Sequence, residues 1–424
     1  MKELIGYEIK KILMRRVNRI AMLFGLILII FSNLALIHSE SFPVSDTEYC
    51  TGREAFQKQA EAENALTTQL SEEFLTGFLQ DYQQGLPTNA VTLREPAYCK
   101  KAESSTPAEP PSYDWSLIAP YANLFSLIAN HYREWNDSFA WEDLGQIPAE
   151  HGIHFYERRL EKIDTMLESD YTYGNYSEAE KAYWRSKAGN VSIPFAWGNR
   201  DVWNRIWDSI GLLIWLLFVI SICTASVFSG EYQERTDALL LSARHGKGKL
   251  IPAKIAASFL FTFAYTGLCS IVGIGINVGL LGIQGWDLPI QLFNTIIPYD
   301  WNVLQACTVN LLVIFLIFAL LTGVSLLLSA ICKSSLAVLA LDVLLFYGTL
   351  FLPSSKTSWL WNHIFCLLPL HCFNLKDLLK MYISYPVGGM VISYLDMVFI
   401  SYTLLLLLCI LCTGKFFRTH QAGG

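Results

Sequence analysis

Six times along its 424 residues this chain runs apolar for about the length of a bilayer-crossing helix. Residues 20–37, 206–228, 255–281, 303–331, 336–352 and 391–412 each supply close to the roughly 20 apolar positions that a helix rising about 1.5 Å per residue needs to cross a hydrocarbon core. Backbone inside a bilayer must satisfy its own hydrogen bonds, so runs of this kind restrict the fold to membrane helices, and the sequence predicts an all-α polytopic membrane protein. Composition agrees, because 53% hydrophobic and 16% charged residues leave too few charges to coat a soluble protein of this size. Basic residues precede the first run as they would in a secretory leader. No small-x-small cleavage site follows Leu36, however, and the run reads as a span.

Charge divides the chain. Residues 38–205 hold 26 acids and 14 bases, whereas the remainder holds 11 acids and 17 bases. The first spans are thus separated by an acidic insert, and the rest is a mildly basic membrane body. Lys and Arg in short loops mark the cytoplasmic side. They gather at Lys2, Lys10, Lys11, Arg15, Arg16 and Arg19, at Arg235, Arg244, Lys247 and Lys249 after the second span, and at Lys415 and Arg418. Residues 284–302 have none, and 353–390 have only Lys356, Lys376 and Lys380. An even number of spans then places both termini in the cytoplasm of a cell-membrane protein and the whole insert outside. Residues 1–19, with Leu4, Ile5, Ile9, Ile12 and Leu13 at helical spacing, read as an amphipathic elbow helix on the inner membrane face.

Apolar residues recur at three and four positions over 56–79, 117–132 and 155–167, so the insert reads as mainly helical, with a Pro-rich linker at 106–111. Its many tryptophans suit a small core and a membrane-surface belt, with a ligand groove as the rival reading. Cys50 and Cys99 are the insert's cysteines; an oxidising exterior favours a disulfide between them, and two free thiols are the alternative.

Enzyme signatures are missing. There is no phosphate-cradling G-x-x-x-x-G-K-[ST] loop, no H-E-x-x-H helix and no G-x-S-x-G elbow, so no catalytic residue and no bound cofactor is expected. His363, Cys366, His371 and Cys372 are the densest soft ligands, but Pro369 interrupts any single ligand-bearing helix, and packing is the simpler reading, with no metal expected. They fall in 353–390, where a short, broken apolar run predicts a re-entrant or interfacial segment. Asp342 lies inside a predicted span, where a carboxylate costs several kcal/mol unless it meets a partner or water. It reads equally as a path-lining group or as a polar tie between helices, and Asn277 and Asn310 are lesser candidates of the same kind.

The loop 229–254 is the most informative stretch. After Phe228-Ser229-Gly230-Glu231 it predicts a short helix through Arg235, Thr236, Leu239, Leu240, Leu241 and Ser242, then basic residues and Lys254 at the start of the third span. Three adjacent leucines in a polar loop suggest docking on another protein. Phe228, Ser229, Glu231, Thr236, Leu239, Leu240, Ser242, Lys249 and Lys254 follow the pattern by which the chain resembles type-2 ABC permeases, the membrane subunits of bacterial ABC exporters. Arg235 stands where a Gly usually precedes the Thr, and Arg244 near a common Pro. The elbow, the six spans and the outer segment before the last span fit the same resemblance, which excludes the insert.

That resemblance implies a permease paired with a second, identical or homologous chain in the lipid bilayer. Two separate ABC ATPase subunits would bind ATP and Mg, and no nucleic acid partner is implied. Residues 231–242 would be the coupling helix, Leu239, Leu240 and Leu241 supplying its buried anchor and Glu231 and Arg235 its polar contacts. A sensor or mechanotransmitter, in which ATP hydrolysis moves the insert without transport, is the rival.

Overall fold

A computed structural model of the chain describes residues 1–45, 48–84, 119–132, 147, 154–169, 175–236, 246–355 and 357–419. The fold is mostly helical. Helix α1 (Lys2–Met14) turns into α2 (Arg16–Ser39) through Arg15, whose backbone is extended. The bend therefore falls at residue 15 rather than at the expected boundary near 19. Asn18 explains the position: its side-chain amide donates to the carbonyl of Ile12 at 2.8 Å, satisfying an acceptor that the break frees.

The described part of the insert opens with a small hairpin, β1 (Ser41–Pro43) on β2 (Tyr49–Thr51). Four helices follow: α3 (Arg53–Leu66), α4 (Glu72–Gln84), α5 (Ala122–Tyr132) and α6 (Phe155–Glu168). The periodic run 56–79 is thus two helices, parted where Leu70 and Trp197 exchange backbone bonds with Phe195 and Thr68. A further helix, α7 (Glu178–Gly189), starts with a reciprocal cap between Ser177 and Glu180.

The membrane part begins with α8 (Asp201–Gly211), which a single 3-10 turn joins to α9 (Leu216–Gln233). Next come α10 (Ile251–Leu281), α11 (Val303–Ile331), α12 (Ser335–Tyr347) and α13 (Trp359–Cys366). A hairpin of β3 (Ser384–Val387) and β4 (Met390–Ser393) leads into α14 (Tyr394–Thr419). Gly388 and Gly389, both at positive φ, form its two-residue turn. The strand β4 takes up the start of the run expected as the last span, so that helix begins later and extends to Thr419.

Among the described residues, five helical stretches are long and apolar enough to cross a membrane: Arg16–Ser39, Asp201–Gln233, Gly248–Leu281, Val303–Ile331 and Tyr394–Phe417. The expected fifth span, 336–352, is a shorter apolar helical stretch, Ser335–Phe351. Central α11 packs against α9, α10, α12 and α14, while α2 lies on α9 and α10. Large apolar side chains such as Phe24, Ile27 and Phe31 of α2 and Leu404, Leu408 and Leu411 of α14 face outward, as lipid-facing surfaces do. A single apolar core runs from Leu70, Phe125 and Phe155 of the insert through Trp203 and Trp207 into Ile220, Phe318 and Val398 of the bundle. Insert and bundle are therefore packed as one body.

Candidate functional site

The end of the bundle that carries α1 holds a buried ionic centre. Lys254, in the first turn of α10, has a fully buried side chain whose Nζ lies 2.6 Å from Glu231 Oε1 and 3.0 Å from Glu8 Oε2, and donates to the Val227 carbonyl at 3.2 Å. Lys11 Nζ reaches Glu231 Oε1 at 3.2 Å, and Arg15 reaches Glu234 at 3.3 Å nearer the surface. Two cations and two carboxylates from α1, α9 and α10 thus neutralise one another in a site of low dielectric. Removing one member would leave an uncompensated charge.

This placement changes the expected role of Glu231. It is 1% exposed and turned into the protein, so it bonds to the elbow and to α10 instead of offering a polar contact to a partner. Nor is 231–242 one helix. Helix α9 runs to Gln233 and stops there in a Schellman motif, the Thr236 N–H donating to the Glu231 carbonyl at 3.0 Å and the Arg235 N–H to the Tyr232 carbonyl at 3.2 Å. Arg235 sits at φ 53°, the left-handed position that favours glycine, and its side chain is exposed. The departure noted in the sequence therefore has a physical meaning, since a Gly before Thr236 would cap the helix without strain. Leu239, Leu240 and Leu241 lie outside the described residues.

Within the bundle, Asn277 donates to Asn33 Oδ1 at 2.7 Å and to the Gly273 carbonyl at 2.9 Å, tying α10 to α2. The Asn310 side-chain oxygen accepts from the Leu375 N–H at 2.8 Å. Both amides act as ties in packed helices. Asp342 differs: it is 1% exposed, and neither carboxylate oxygen meets a hydrogen-bond donor in bonding geometry.

At the far end, α3, residues 196–202 and the end of α10 enclose a cleft of about 950 Å³. One part is apolar, with Trp197, Val278 and Leu281; the other presents Arg53, Glu61 and Asp287. Beside it lies a buried acidic cluster that sequence reading missed. Glu63, on α3, accepts from Gln59, Asn123 and Asn199, and burial followed by the nearby Asp201 charge pushes its carboxyl up to about 7. Two features of the insert were equally hidden in the sequence. Arg159 of α6 is buried and donates to the carbonyls of Thr295, Ala188 and Ile297, bolting the insert to the segment between α10 and α11. His131 stacks on Phe155 at 3.9 Å, and burial drives its imidazole down to about 3.

The soft-ligand set is a packing cluster. His363 Nδ1 lies 2.9 Å from the Trp359 carbonyl and His371 Nε2 lies 3.2 Å from that of Thr349, while the Cys372 thiol accepts from the hydroxyls of Tyr394 and Tyr402. Cys50 is buried, its thiol donating to the Phe42 carbonyl, and it forms no disulfide among the described residues; Cys99 lies outside them. No protein-family model, curated protein or solved structure matches this chain.

Proposed function

We propose that this chain is the permease subunit of an ABC-type exporter, in the cell membrane with both termini in the cytoplasm. It would pair with a second permease chain and respond to a separate ATPase that binds ATP and Mg. The observation that supports this reading most is the ionic centre at the root of the loop 237–245. Glu231 and Lys254 hold the two ends of that loop together and bind both to α1 through Glu8 and Lys11. A displacement of the loop by a docked ATPase would therefore move α1, α9 and α10 as a unit, changing the tilt of three membrane helices in one step. Leu239, Leu240 and Leu241 supply the apolar anchor of that contact, and this chain contributes the route, not the hydrolysis.

The test is purification from the native host in mild detergent, with mass spectrometry of what accompanies the chain. The proposal expects a subunit carrying a phosphate-cradling G-x-x-x-x-G-K-[ST] loop. Its absence after crosslinking, together with full function of Leu240→Ala, would reject it.

A second reading, that ATP hydrolysis moves the outer insert as a sensor or mechanotransmitter, is supported by the Arg159 contacts. They couple the insert to the bundle rigidly enough for tilting helices to carry it. ATP-dependent cargo movement in sealed vesicles separates the two.

A further inference from the structure

Asp342 lies on α12, two helical turns beyond Ser335, enclosed by α9 and α11. An ionised carboxylate without a partner costs several kcal/mol in such surroundings, so something must offset its charge. Among the described residues, no basic side chain on the helices packed around it can do so. Helices α9, α11 and α12 contain no Lys, Arg or His. Their ionisable groups are Cys223, Cys307, Glu231, Tyr232 and Tyr347. Glu231 is committed to Lys254, and the two tyrosine hydroxyls donate to the carbonyls of Ala330 and Ile214. A second copy of the chain cannot reach a side chain that is 1% exposed.

What does surround Asp342 is a set of hydroxyls. Ser325 and Ser221 flank the carboxyl. Ser325 is 2.9 Å from Thr224 Oγ1. One turn toward the end that carries α1, Ser329 Oγ donates to the Ala225 carbonyl at 2.7 Å and accepts from the Ser229 N–H at 2.9 Å. Ser229 Oγ is 2.8 Å from Ser335 Oγ, which donates to Gln233 Oε1 at 3.0 Å, and Gln233 is exposed. Hydroxyls therefore recur at each turn from the exposed Gln233 inward to Asp342, along the faces where α9, α11 and α12 meet.

We propose that Asp342, with Ser221 and Ser325, is a binding site for a small monovalent cation, a proton or sodium, reached from the elbow end along this file of hydroxyls. Proton binding converts the carboxylate to a carboxylic acid whose O–H donates to a flanking serine; sodium would instead take the carboxylate and hydroxyl oxygens as ligands. No redox step or co-reactant is involved. The site requires only the folded chain in a bilayer, so it stands or falls apart from the exporter reading.

The test is infrared difference spectroscopy of the full chain in lipid nanodiscs. Wild type is compared with Asp342→Asn across pH, with choline or sodium as the only added cation. The proton arm expects an acid carbonyl-stretch band in choline that titrates reversibly and is lost in Asp342→Asn. The sodium arm expects a carboxylate band that shifts when sodium replaces choline at fixed pH, again lost in the variant. Should Asp342→Asn fail to fold, Ser221→Ala/Ser325→Ala keeps the carboxylate and must shift the same titration midpoint or weaken the sodium response severalfold. A band that stays ionised and indifferent to sodium overturns the proposal, as does an acid band that never titrates.

Discussion

Lys254 Nζ lies 2.6 Å from Glu231 Oε1, joining the first turn of α10 to the last turn of α9 at the root of the loop between them. Both side chains are almost wholly shielded from solvent, so with Glu8 and Lys11 they form a charge set that balances only when all four are present. Lys254→Met or Glu231→Gln alone leaves an unbalanced buried charge and should destabilise the fold by about 3–5 kcal/mol. The double replacement Lys254→Met/Glu231→Gln should cost clearly less than the two single effects combined. Denaturant unfolding of the four proteins in detergent measures the cycle, and additive costs would show that the pair does not act as one unit.

Arg235 occupies the left-handed position of the cap that ends α9. Replacing it by glycine relieves the crowding between Cβ and backbone and should stabilise the chain by about 1 kcal/mol. Arg235→Ala removes the same guanidinium but keeps the Cβ, so comparing unfolding midpoints of the two variants isolates the backbone effect. Equal midpoints would mean that the turn is not strained.

Glu63 supplies a pH dependence of defined sign. Burial first, and the Asp201 charge second, raise its carboxyl from 4.5 to about 7, so the folded state holds a proton that the unfolded chain has released. Its contribution to stability is fully present below about 4.5 and is lost as pH rises toward 7, by on the order of 1–3 kcal/mol. His131, lowered from 6.5 to about 3, contributes the opposite slope where the windows overlap, so wild type alone does not report on Glu63. Subtracting the pH profile of Glu63→Gln from that of wild type cancels the histidine. The difference should fall between pH 4.5 and 7, and a flat difference would refute the assignment.

Sidedness follows from the two ends of α10. Lys249 and Asp287 are exposed and separated by the whole helix. In a chain freed of native cysteines, Asp287→Cys should react with an impermeant thiol reagent in intact cells, and Lys249→Cys only after permeabilisation. The reverse pattern would invert the proposed orientation.

Where local chemistry decides the structure, the sequence was readable. The bounds of α11 coincide with the apolar run 303–331, because the reciprocal cap between Asn302 and Gln305 sits at its edge. The turn Gly388–Gly389 was equally local, but the apolar residues after it counted toward a helix and hid the hairpin. Long-range pairing was not legible. Glu231 reads as a surface charge in a basic loop until Lys254, Glu8 and Lys11 are brought around it, and nothing in the spacing of Glu63, Asn123, Asn199 and Asp201 announces that they meet. Asp342 was conspicuous from its place in an apolar run, whereas its lack of any basic neighbour among the described residues emerged only from the helix packing.

A docked ATPase that pushes residues 237–245 must touch their leucines. The most direct measurement places a photo-crosslinking amino acid at position 239, 240 or 241 of the chain in its native host and identifies what it captures. Capture of a nucleotide-binding subunit is expected from at least one position and is lost when the crosslinker is moved to position 287 at the opposite end of α10. Capture of lipid alone from all three leucine positions, with the chain folded and inserted, would contradict it.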